Sequence, residues 1–163
     1  MTTTASHVWL PILIAAIAAT ALGAMGALVT DLSPWYYSLR KPAWQPPDWL
    51  FGPVWTLIFG LAALAGILAW REAWGSADRA RIIGLFTLNA ALNVGWSWLF
   101  FRLHRPDWAL LEVGFLWLSI VVLMVALWPM SRTASWLLLP YLLWVSFATV
   151  LNIAIVQLNR PFV

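Results

Sequence analysis

Long uncharged stretches alternate along this chain with short segments that hold its charged residues. No Asp, Glu, Lys or Arg occurs in residues 1–30, 49–70, 82–101, 113–131 and 133–159. Each stretch has at least ~18 residues, enough for an α-helix to cross roughly 30 Å of hydrocarbon. The pattern predicts five transmembrane helices near 7–29, 50–72, 80–103, 107–129 and 134–157. We therefore expect an all-α membrane protein in which residues 1–163 form a single five-helix transmembrane domain.

Composition supports this class of protein and argues against others. The chain is 63% apolar and 9% charged, which lies outside the range of soluble globular domains. Its net charge of +3 suggests contact with anionic lipid headgroups and does not indicate nucleic-acid binding. Residues 1–6 lack the basic residues of a secretory signal, so the first helix is expected to be retained. The basic residues divide almost evenly between the two membrane faces, so the positive-inside rule does not set the topology.

The segment 30–49, between the first two predicted helices, is rich in Trp and Pro. Proline fixes φ and lacks a backbone N–H donor, so this segment cannot be one continuous helix. Its aromatic side chains supply large rigid surfaces. We interpret the segment as a lid over an apolar ligand site. The lid residues that we single out are Trp35, Tyr36, Lys41, Pro42, Trp44, Pro46 and Pro47.

Two asparagines and two aromatic residues share one face of the third predicted helix. Asn89, Asn93, Trp96 and Phe100 follow one another at i, i+4, i+7 and i+11. An amide that faced lipid would lack hydrogen-bond partners, so this face should point into the bundle. For Asn89 the sequence leaves two alternatives, a hydrogen bond to another helix or a contact with a ligand. Asn93 lies one turn from Trp96, and we assign it to a ligand site.

The second and fifth predicted helices also carry aromatic faces. Trp55 and Phe59 lie one turn apart in the second, and Trp144, Ala148 and Leu151 follow a helical spacing in the fifth. Three aromatic faces with a few amides nearby suit an apolar slot for a flat ligand. Two further deep tryptophans are candidates for the wall of this slot, Trp98 and Trp117.

Few residues offer catalytic or metal-binding chemistry. The sequence contains no recognisable nucleophile–base pair, phosphate-binding loop or metal-ligating cluster, so we predict no catalytic residue of the usual kinds, no metal site and no required cofactor. Glu112 is the one acid expected to lie partly within the membrane, and we interpret it as paired with an arginine of a loop. Pro140 falls inside the fifth predicted helix, where it should produce a kink.

In the order and spacing of these residues the chain resembles the translocator protein family, also called tryptophan-rich sensory proteins or peripheral-type benzodiazepine receptors. The resemblance runs nearly end to end. Its residues are Trp35-Tyr36, Leu39, Lys41-Pro42, Trp44 and Pro46-Pro47 in the loop, Phe51-Gly52-Pro53-Val54-Trp55-Thr56 in the second helix, Leu92-Asn93, Trp96-Ser97 and Phe100-Phe101 in the third, and Pro140-Tyr141-Leu142, Trp144, Phe147-Ala148-Thr149, Leu151-Asn152 and Asn159 in the fifth.

This resemblance implies a five-helix bundle, usually a homodimer, that binds porphyrins such as protoporphyrin IX or haem as ligands. It also implies binding of synthetic isoquinoline carboxamide or benzodiazepine ligands, and a role in porphyrin handling, sensing or stress response. By position it assigns Trp55, Asn93 and Trp144 to the pocket and the Trp/Pro loop to its lid. Many relatives have Gln in place of Asn89 and Tyr in place of Phe59, so ligand selectivity should differ.

Two other functions are open on the sequence. A light-dependent enzyme that breaks down protoporphyrin IX would need no acid–base residues, and Trp55 and Trp144 would then be its photochemical partners. A membrane scaffold would instead recruit partner proteins through seams of small residues and basic loop ends. The compact loops and the lack of an N-terminal extension are typical of a protein of a bacterial membrane.

Overall fold

The computed structural model describes residues 3–162, and it describes side chains from residue 9 onward. In this described part all regular elements are helical. They are α1 (Thr3–Val29), α2 (Pro34–Ser38), α3 (Asp48–Glu72), α4 (Ser76–Ser97), a π-helical turn (Trp98–Arg102), α5 (Pro106–Leu127), α6 (Arg132–Leu137) and α7 (Leu139–Asn159). Five spans are long and apolar enough to cross a membrane, namely α1, α3, α4 with its π turn, α5, and α6 with α7. The predicted fold class is confirmed.

The helix bounds follow local sequence signals at their ends. α5 begins at Pro106, because the missing N–H of proline does no harm in a first turn. The Oγ of Ser131 caps α6 by accepting a hydrogen bond from the Ala134 N–H at 3.2 Å. α3 and α4 begin at Asp48 and Ser76, before the predicted starts at 50 and 80. The first turn of α4 is polar, and α3 begins with the charged Asp48, so uncharged apolar stretches alone place these starts too late.

The fifth membrane span is broken where Pro140 predicts a kink. Leu138 separates α6 from α7, and Pro140 lies in the first turn of α7. The Leu138 N–H bonds to the Ser135 carbonyl at 3.1 Å, which tightens the last turn of α6. The Ser135 hydroxyl donates to the Met124 carbonyl at 2.7 Å and ties α6 to α5. The helix is thus interrupted two residues before Pro140, next to the position where a kink is predicted.

The third span ends in the π-helical turn Trp98–Arg102, which the sequence pattern does not predict. The Leu103 N–H bonds to the Trp98 carbonyl at 3.0 Å, and His104 follows in the left-handed region with φ 55°. A π-helical turn holds one extra residue, and such turns are frequent at functional sites. Here the turn changes the direction of the chain beside the loop between α1 and α3.

α5 is the central helix and α1 the peripheral one. α5 packs against α4 and α7, whereas α1 packs mainly against α3 and leaves most of its side chains exposed. Residues 30–47, which we call loop 1, cover one end of the bundle. Two buried clusters concern the site. The middle cluster is Ile58, Val113, Leu116, Ile120, Tyr141 and Val145. The loop-1 cluster is Tyr36, Phe100, Ala109, Leu151 and Ile155.

Candidate ligand-binding site

Trp55, Trp96 and Trp144, the three tryptophans assigned to the slot, all pack against the middle cluster. The Trp55 ring stacks on Phe59 with centroids 5.2 Å apart, and it meets the edge of Tyr141 at 5.9 Å. The helical spacing that places Trp55 and Phe59 on one face is thus realised as a direct stack. The structure brings α3, α4 and α7 together around this cluster, as the three aromatic faces predict.

Trp144 connects the middle of the bundle to loop 1. Its indole meets the edge of Phe51 at 5.5 Å and lies 5.5 Å from Phe147. The indole of Trp44, from loop 1, contacts Phe147 edge-on at 5.9 Å. A lid residue is therefore separated from a wall residue by a single aromatic ring. Movement of loop 1 would change the packing around Trp144 directly.

Trp96 joins the middle cluster to the loop-1 cluster. Its ring lies 5.2 Å from Phe100, and the π-helical turn also brings Phe101 to within 6.2 Å. The edge of Phe100 in turn meets Trp35 of loop 1 at 6.2 Å. The indole Nε1 of Trp96 is buried, and no described residue accepts a hydrogen bond from it. This N–H is a donor that an acceptor group of a ligand would satisfy.

Asn89 and Asn93 belong to a buried hydrogen-bond network that links three helices. The Asn93 Nδ2 donates to the Tyr141 hydroxyl at 3.1 Å, and that hydroxyl donates to the Asn89 Oδ1 at 3.2 Å. The Asn89 Nδ2 donates to the Ser119 Oγ at 2.8 Å, and Ser119 donates to the Leu116 carbonyl at 2.7 Å. The face of α4 points into the bundle, as its amides predict. A ligand role for Asn93 stays a prediction, because in this arrangement its amide already donates a hydrogen bond to the Tyr141 hydroxyl.

Loop 1 is held closed by a polar group beneath its aromatic residues. The buried Tyr36 hydroxyl donates to the Asp48 Oδ1 at 2.8 Å and accepts from the Gln45 Nε2 at 3.2 Å. Burial, followed by the hydrogen bond to Asp48, raises the pKa of the Tyr36 phenol above its ordinary value of 10.0. The Lys41 ammonium lies 3.5 Å from the centroid of the Tyr36 ring. Desolvation lowers the pKa of Lys41, against the opposing effect of Asp48.

The C-terminal end of α7 anchors loop 1 through Asn159. The Asn159 Oδ1 accepts from the Arg40 N–H, and its Nδ2 donates to the Arg40 carbonyl, both at 2.8 Å. On another side of the loop, Trp35 stacks on His104 with centroids 4.1 Å apart. The Arg102 guanidinium donates to the Leu28 carbonyl at the end of α1. Loop 1, which the Trp/Pro composition predicts to act as a lid, is thus attached at several points of the bundle.

The remaining predicted site residues fall into two groups. Leu151 is buried in the loop-1 cluster, and Ala148 lies half-buried on the same helix. The lid prolines lie in the irregular segment between α2 and α3, and they are Pro42, Pro46 and Pro47. In contrast, Trp98 and Trp117 are exposed on the outside of the bundle, so their assignment to the slot is wrong. The indole of Trp117 donates to the Ser146 Oγ at 2.9 Å, which satisfies its N–H at the lipid-facing surface.

Glu112 is half-buried, and its carboxylate oxygens are buried without a partner. Its Oε1 lies 4.0 Å from the place where a Cβ on Gly95 would be, and both carboxylate oxygens lack hydrogen-bond donors among the described residues. The predicted pairing of Glu112 with a loop arginine is therefore wrong. The ion pairs of the described residues are Arg81–Asp78, Arg102–Asp31 and Arg105–Asp107. The arginines closest along the chain pair with loop acids, while α5 turns Glu112 towards α4.

Several residues of this region escape the sequence reasoning. Tyr141 lies inside the residue pattern that carries the family resemblance, yet only the structure shows that it joins both asparagines. Asp48 and Gln45 form the lid contacts although neither is aromatic nor proline. Asn152 is fully buried, and with its amide turned to satisfy both groups it donates to the Pro106 carbonyl at 3.3 Å and accepts from the Leu110 N–H at 3.0 Å. The sequence names Asn152 as part of the family pattern, and its amide in an apolar helix is the signal that points it inward, but its partners are seen only in the structure.

Two cavities lie near the candidate site. A groove of about 660 Å³ between α1, α3 and α4 ends at Phe59, and a cavity of about 460 Å³ lies under loop 1 beside Trp35 and His104. Trp55, Trp96 and Trp144 line neither, because aromatic neighbours occupy the space beside each of them. Within the described part, no three His, Cys, Asp or Glu side chains are grouped to hold a metal ion. The arrangement suits stacking and hydrogen bonding of an organic ligand after loop 1 moves.

Five membrane-spanning helices around a tryptophan-rich site, closed by a proline-rich loop, define a multi-pass integral membrane protein of the translocator and sensory class. The sequence model of the TspO/MBR family matches residues 12–158, and the chain belongs to that family. The predicted family and the predicted integral membrane localisation are confirmed.

Relatives from three domains of life match most of the chain. It is 44% identical over 143 residues to the tryptophan-rich protein TspO of Chlorobaculum tepidum, which covers 85% of this chain and 89% of that protein. It is 38% identical over 145 residues to a protein of the same name from Archaeoglobus fulgidus, with 88% and 93% covered. The human translocator protein is 36% identical over 127 residues, and the match covers 77% of this chain and 75% of that protein.

Proposed function

We propose that this protein binds a flat tetrapyrrole, such as protoporphyrin IX or haem, between Trp55, Trp96 and Trp144 beneath loop 1. The observation that carries the proposal is the convergence of these three indoles, from three different helices, on one buried cluster. Indole rings supply broad apolar faces that stack on a conjugated ring system. Membership of a family whose members are named translocator or sensory proteins agrees with a role in porphyrin handling or sensing.

The polar groups around the site suit the edge of such a ligand. A porphyrin carries two propionates, and the loop-1 end of the bundle carries Arg40 and Lys41. Arg40 forms no ion pair with any described residue, and the Lys41 ammonium lies over the rings of Tyr36 and Tyr37. Inside the bundle, the buried Nε1 of Trp96 offers a hydrogen-bond donor without an acceptor. Propionates at the basic end and rings between the indoles would satisfy both sets of groups.

Binding requires loop 1 to open. The central indoles are packed against their own aromatic neighbours, so a ligand of porphyrin size would have to displace rings such as Phe51 or Phe147. Trp44 rests on Phe147, and a shift of loop 1 releases that ring. The bonds from Tyr36 to Asp48 and from Asn159 to Arg40 are those that opening would break. Loop movement of this kind commonly sets the rate of ligand exchange.

A second candidate function is light-driven breakdown of the bound porphyrin. The observation that favours it is that a porphyrin beside Trp55 would also lie near the phenol of Tyr141, 5.9 Å from that indole. Both are oxidisable rings, and an illuminated porphyrin with dissolved oxygen is an oxidant. This activity would need no general acid or base. It shares the binding site of the first proposal and differs only in the product that illumination yields.

The test is titration of protoporphyrin IX into the purified protein in the dark, followed by illumination. The variant Trp55→Phe/Trp144→Phe removes two indole faces, and we expect its Kd to rise about ten-fold, at roughly 0.5–1.5 kcal/mol per aromatic contact. Trp98→Phe is the matched control, because it makes the same change on an exposed surface. Equal Kd values for all three proteins would refute the site. A discrete product formed only by the wild type in light would establish the second function.

A further inference from the structure

A long apolar groove runs between α1, α3 and α4. Its walls extend from Leu10 to Leu22 on α1 and from Trp70 to Phe59 on α3. At 1.5 Å per residue, these limits give a length of roughly 18 Å, more than half the thickness of a bilayer core. The volume of about 660 Å³ is typical of sites that hold small ligands. The groove thus begins at the end of the bundle opposite loop 1 and stops at Phe59.

Small side chains create the groove. Where α1 and α3 face each other, the lining residues are too short to meet across the gap. They are Ala15, Ala18, Ala19, Ala62, Ala63 and Gly66. The walls are mostly apolar, and the polar side chains among the lining residues are Trp70, Arg79 and Thr87. An occupant along this length must be an apolar and flexible chain.

A single cation lies at the outer end of the groove. Arg79 is the charged residue among those that line it, and its guanidinium lies 5.1 Å from the Trp70 ring. Its neighbour Asp78 pairs with Arg81 at 3.7 Å, and no described carboxylate lies within ion-pair distance of Arg79. Residues 1–8 contain no Asp or Glu that could form an ion pair with Arg79. The positive charge is therefore free to bind an anion at the membrane surface.

We propose that this groove holds one acyl chain of an anionic phospholipid of the host membrane, with the lipid phosphate on Arg79. The argument is charge complementarity at one end combined with an apolar channel along the rest. A phospholipid places its phosphate at the interface and its chain in the hydrocarbon, which is the order of the groups in the groove. The phosphate end of the groove lies at the end of the bundle opposite loop 1, and Phe59 is the lining residue that the groove shares with the tetrapyrrole site.

The first arm of the test measures headgroup preference. The delipidated protein is titrated in detergent with palmitoyl-oleoyl phosphatidylglycerol or phosphatidylcholine, and native mass spectrometry counts the retained lipids. We expect one retained phosphatidylglycerol, bound about five-fold tighter than phosphatidylcholine, the factor that one basic residue at a membrane surface supplies. Arg79→Gln should abolish this preference. Arg81→Gln, which removes an equal charge at the same end but outside the groove, should preserve it.

The second arm fills the groove. Ala18→Phe places a ring among the lining residues and should reduce retention of phosphatidylglycerol at least five-fold. Ala16→Phe is its control, because Ala16 lies at the same depth on α1, is exposed and does not line the groove. Unchanged far-UV circular dichroism in both variants shows that both have folded, and the comparison is made on proteins that meet this condition.

Three outcomes would overturn the proposal. Equal affinity of the wild type for the two lipids would remove the role of Arg79, and equal losses in Arg79→Gln and Arg81→Gln would indicate general surface attraction. Retention of phosphatidylglycerol by Ala18→Phe at the wild-type level would place the lipid elsewhere. Dimers that Ala18→Phe abolishes, with no lipid retained by the wild type, would assign the groove to a second copy of this chain.

Discussion

Tyr141→Phe tests the buried network that connects α4, α5 and α7. The substitution keeps the ring, so the edge contact with Trp55 and the packing in the middle cluster are preserved. It removes one hydroxyl, which accepts from Asn93 at 3.1 Å and donates to Asn89 at 3.2 Å. Because Tyr141 is only 2% exposed, water does not replace the lost partner. The change therefore isolates two hydrogen bonds from the apolar contacts around them.

The expected loss of stability follows from these two bonds. Interhelical hydrogen bonds within membranes contribute about 0.6 kcal/mol on average and reach about 1.7 kcal/mol. Both amides left behind are buried, so the higher part of that range applies, and we expect the free energy of unfolding to fall by about 2 kcal/mol. For a chain of this length, each 1 kcal/mol lowers Tm by about 2–4 °C. The predicted decrease is thus about 4–8 °C.

Thermal unfolding in detergent, followed by near-ultraviolet circular dichroism, measures this decrease. Tyr37→Phe is the matched control, since Tyr37 is 60% exposed and the same hydroxyl is lost there. Combining Tyr141→Phe with Asn93→Ala should cost less than the sum of the two single changes, because both remove the same bond. A Tm for Tyr141→Phe equal to that of the control would refute the view that this network stabilises the bundle.

Two further predictions concern loop 1. Asn159→Ala removes both hydrogen bonds to the Arg40 backbone, so the rates of porphyrin association and dissociation should each rise roughly five-fold in stopped-flow fluorescence. The control Gln157→Ala changes an exposed side chain of the same helix and should leave both rates unaltered. An unchanged dissociation rate in Asn159→Ala would contradict the role of loop 1 as a lid. Because the pKa of Tyr36 is raised, its contribution to closure is complete below the ordinary value of 10.0 and is lost as pH rises through the higher folded-state value. The Tyr36 ¹³Cζ shift should therefore stay near its protonated value between pH 9 and 12, and a Tyr36 midpoint at or below 10.0 would rule the prediction out.

The number of membrane spans, and the inward direction of the α4 face that carries Asn89 and Asn93, could be predicted from the sequence. The reason is that the hydrocarbon of the bilayer acts on every helix in the same way. Hydrocarbon rejects charge and unpaired backbone groups, so the lengths of the uncharged stretches determine the spans. The same penalty turns Asn89 and Asn93 inward once the helical period is applied. The kink at Pro140 follows from covalent geometry, which is also local.

The sequence could not predict in this way which helices contact one another, or which of their faces meet. Periodicity places Trp96 on an inner face, yet hydropathy does not separate it from Trp98 or Trp117, which are as apolar and equally deep in their helices. These two lie on the outside because of how α4 and α5 rotate against their neighbours. The same rotation places Glu112 against Gly95, where the sequence suggests a loop arginine as its partner.

The sequence by itself determined that this protein lies in a lipid bilayer. It also determined the number and approximate limits of the membrane spans, and the residue types available for a ligand site. Only the tertiary structure decided which of them meet. Arg40 and Asn159 are 119 positions apart and still exchange two hydrogen bonds, and Tyr141 joins two amides from another helix. The physical reason is the range of the forces involved. Burial in lipid acts on each segment separately, whereas hydrogen bonds and ring contacts depend on the mutual position and rotation of several helices.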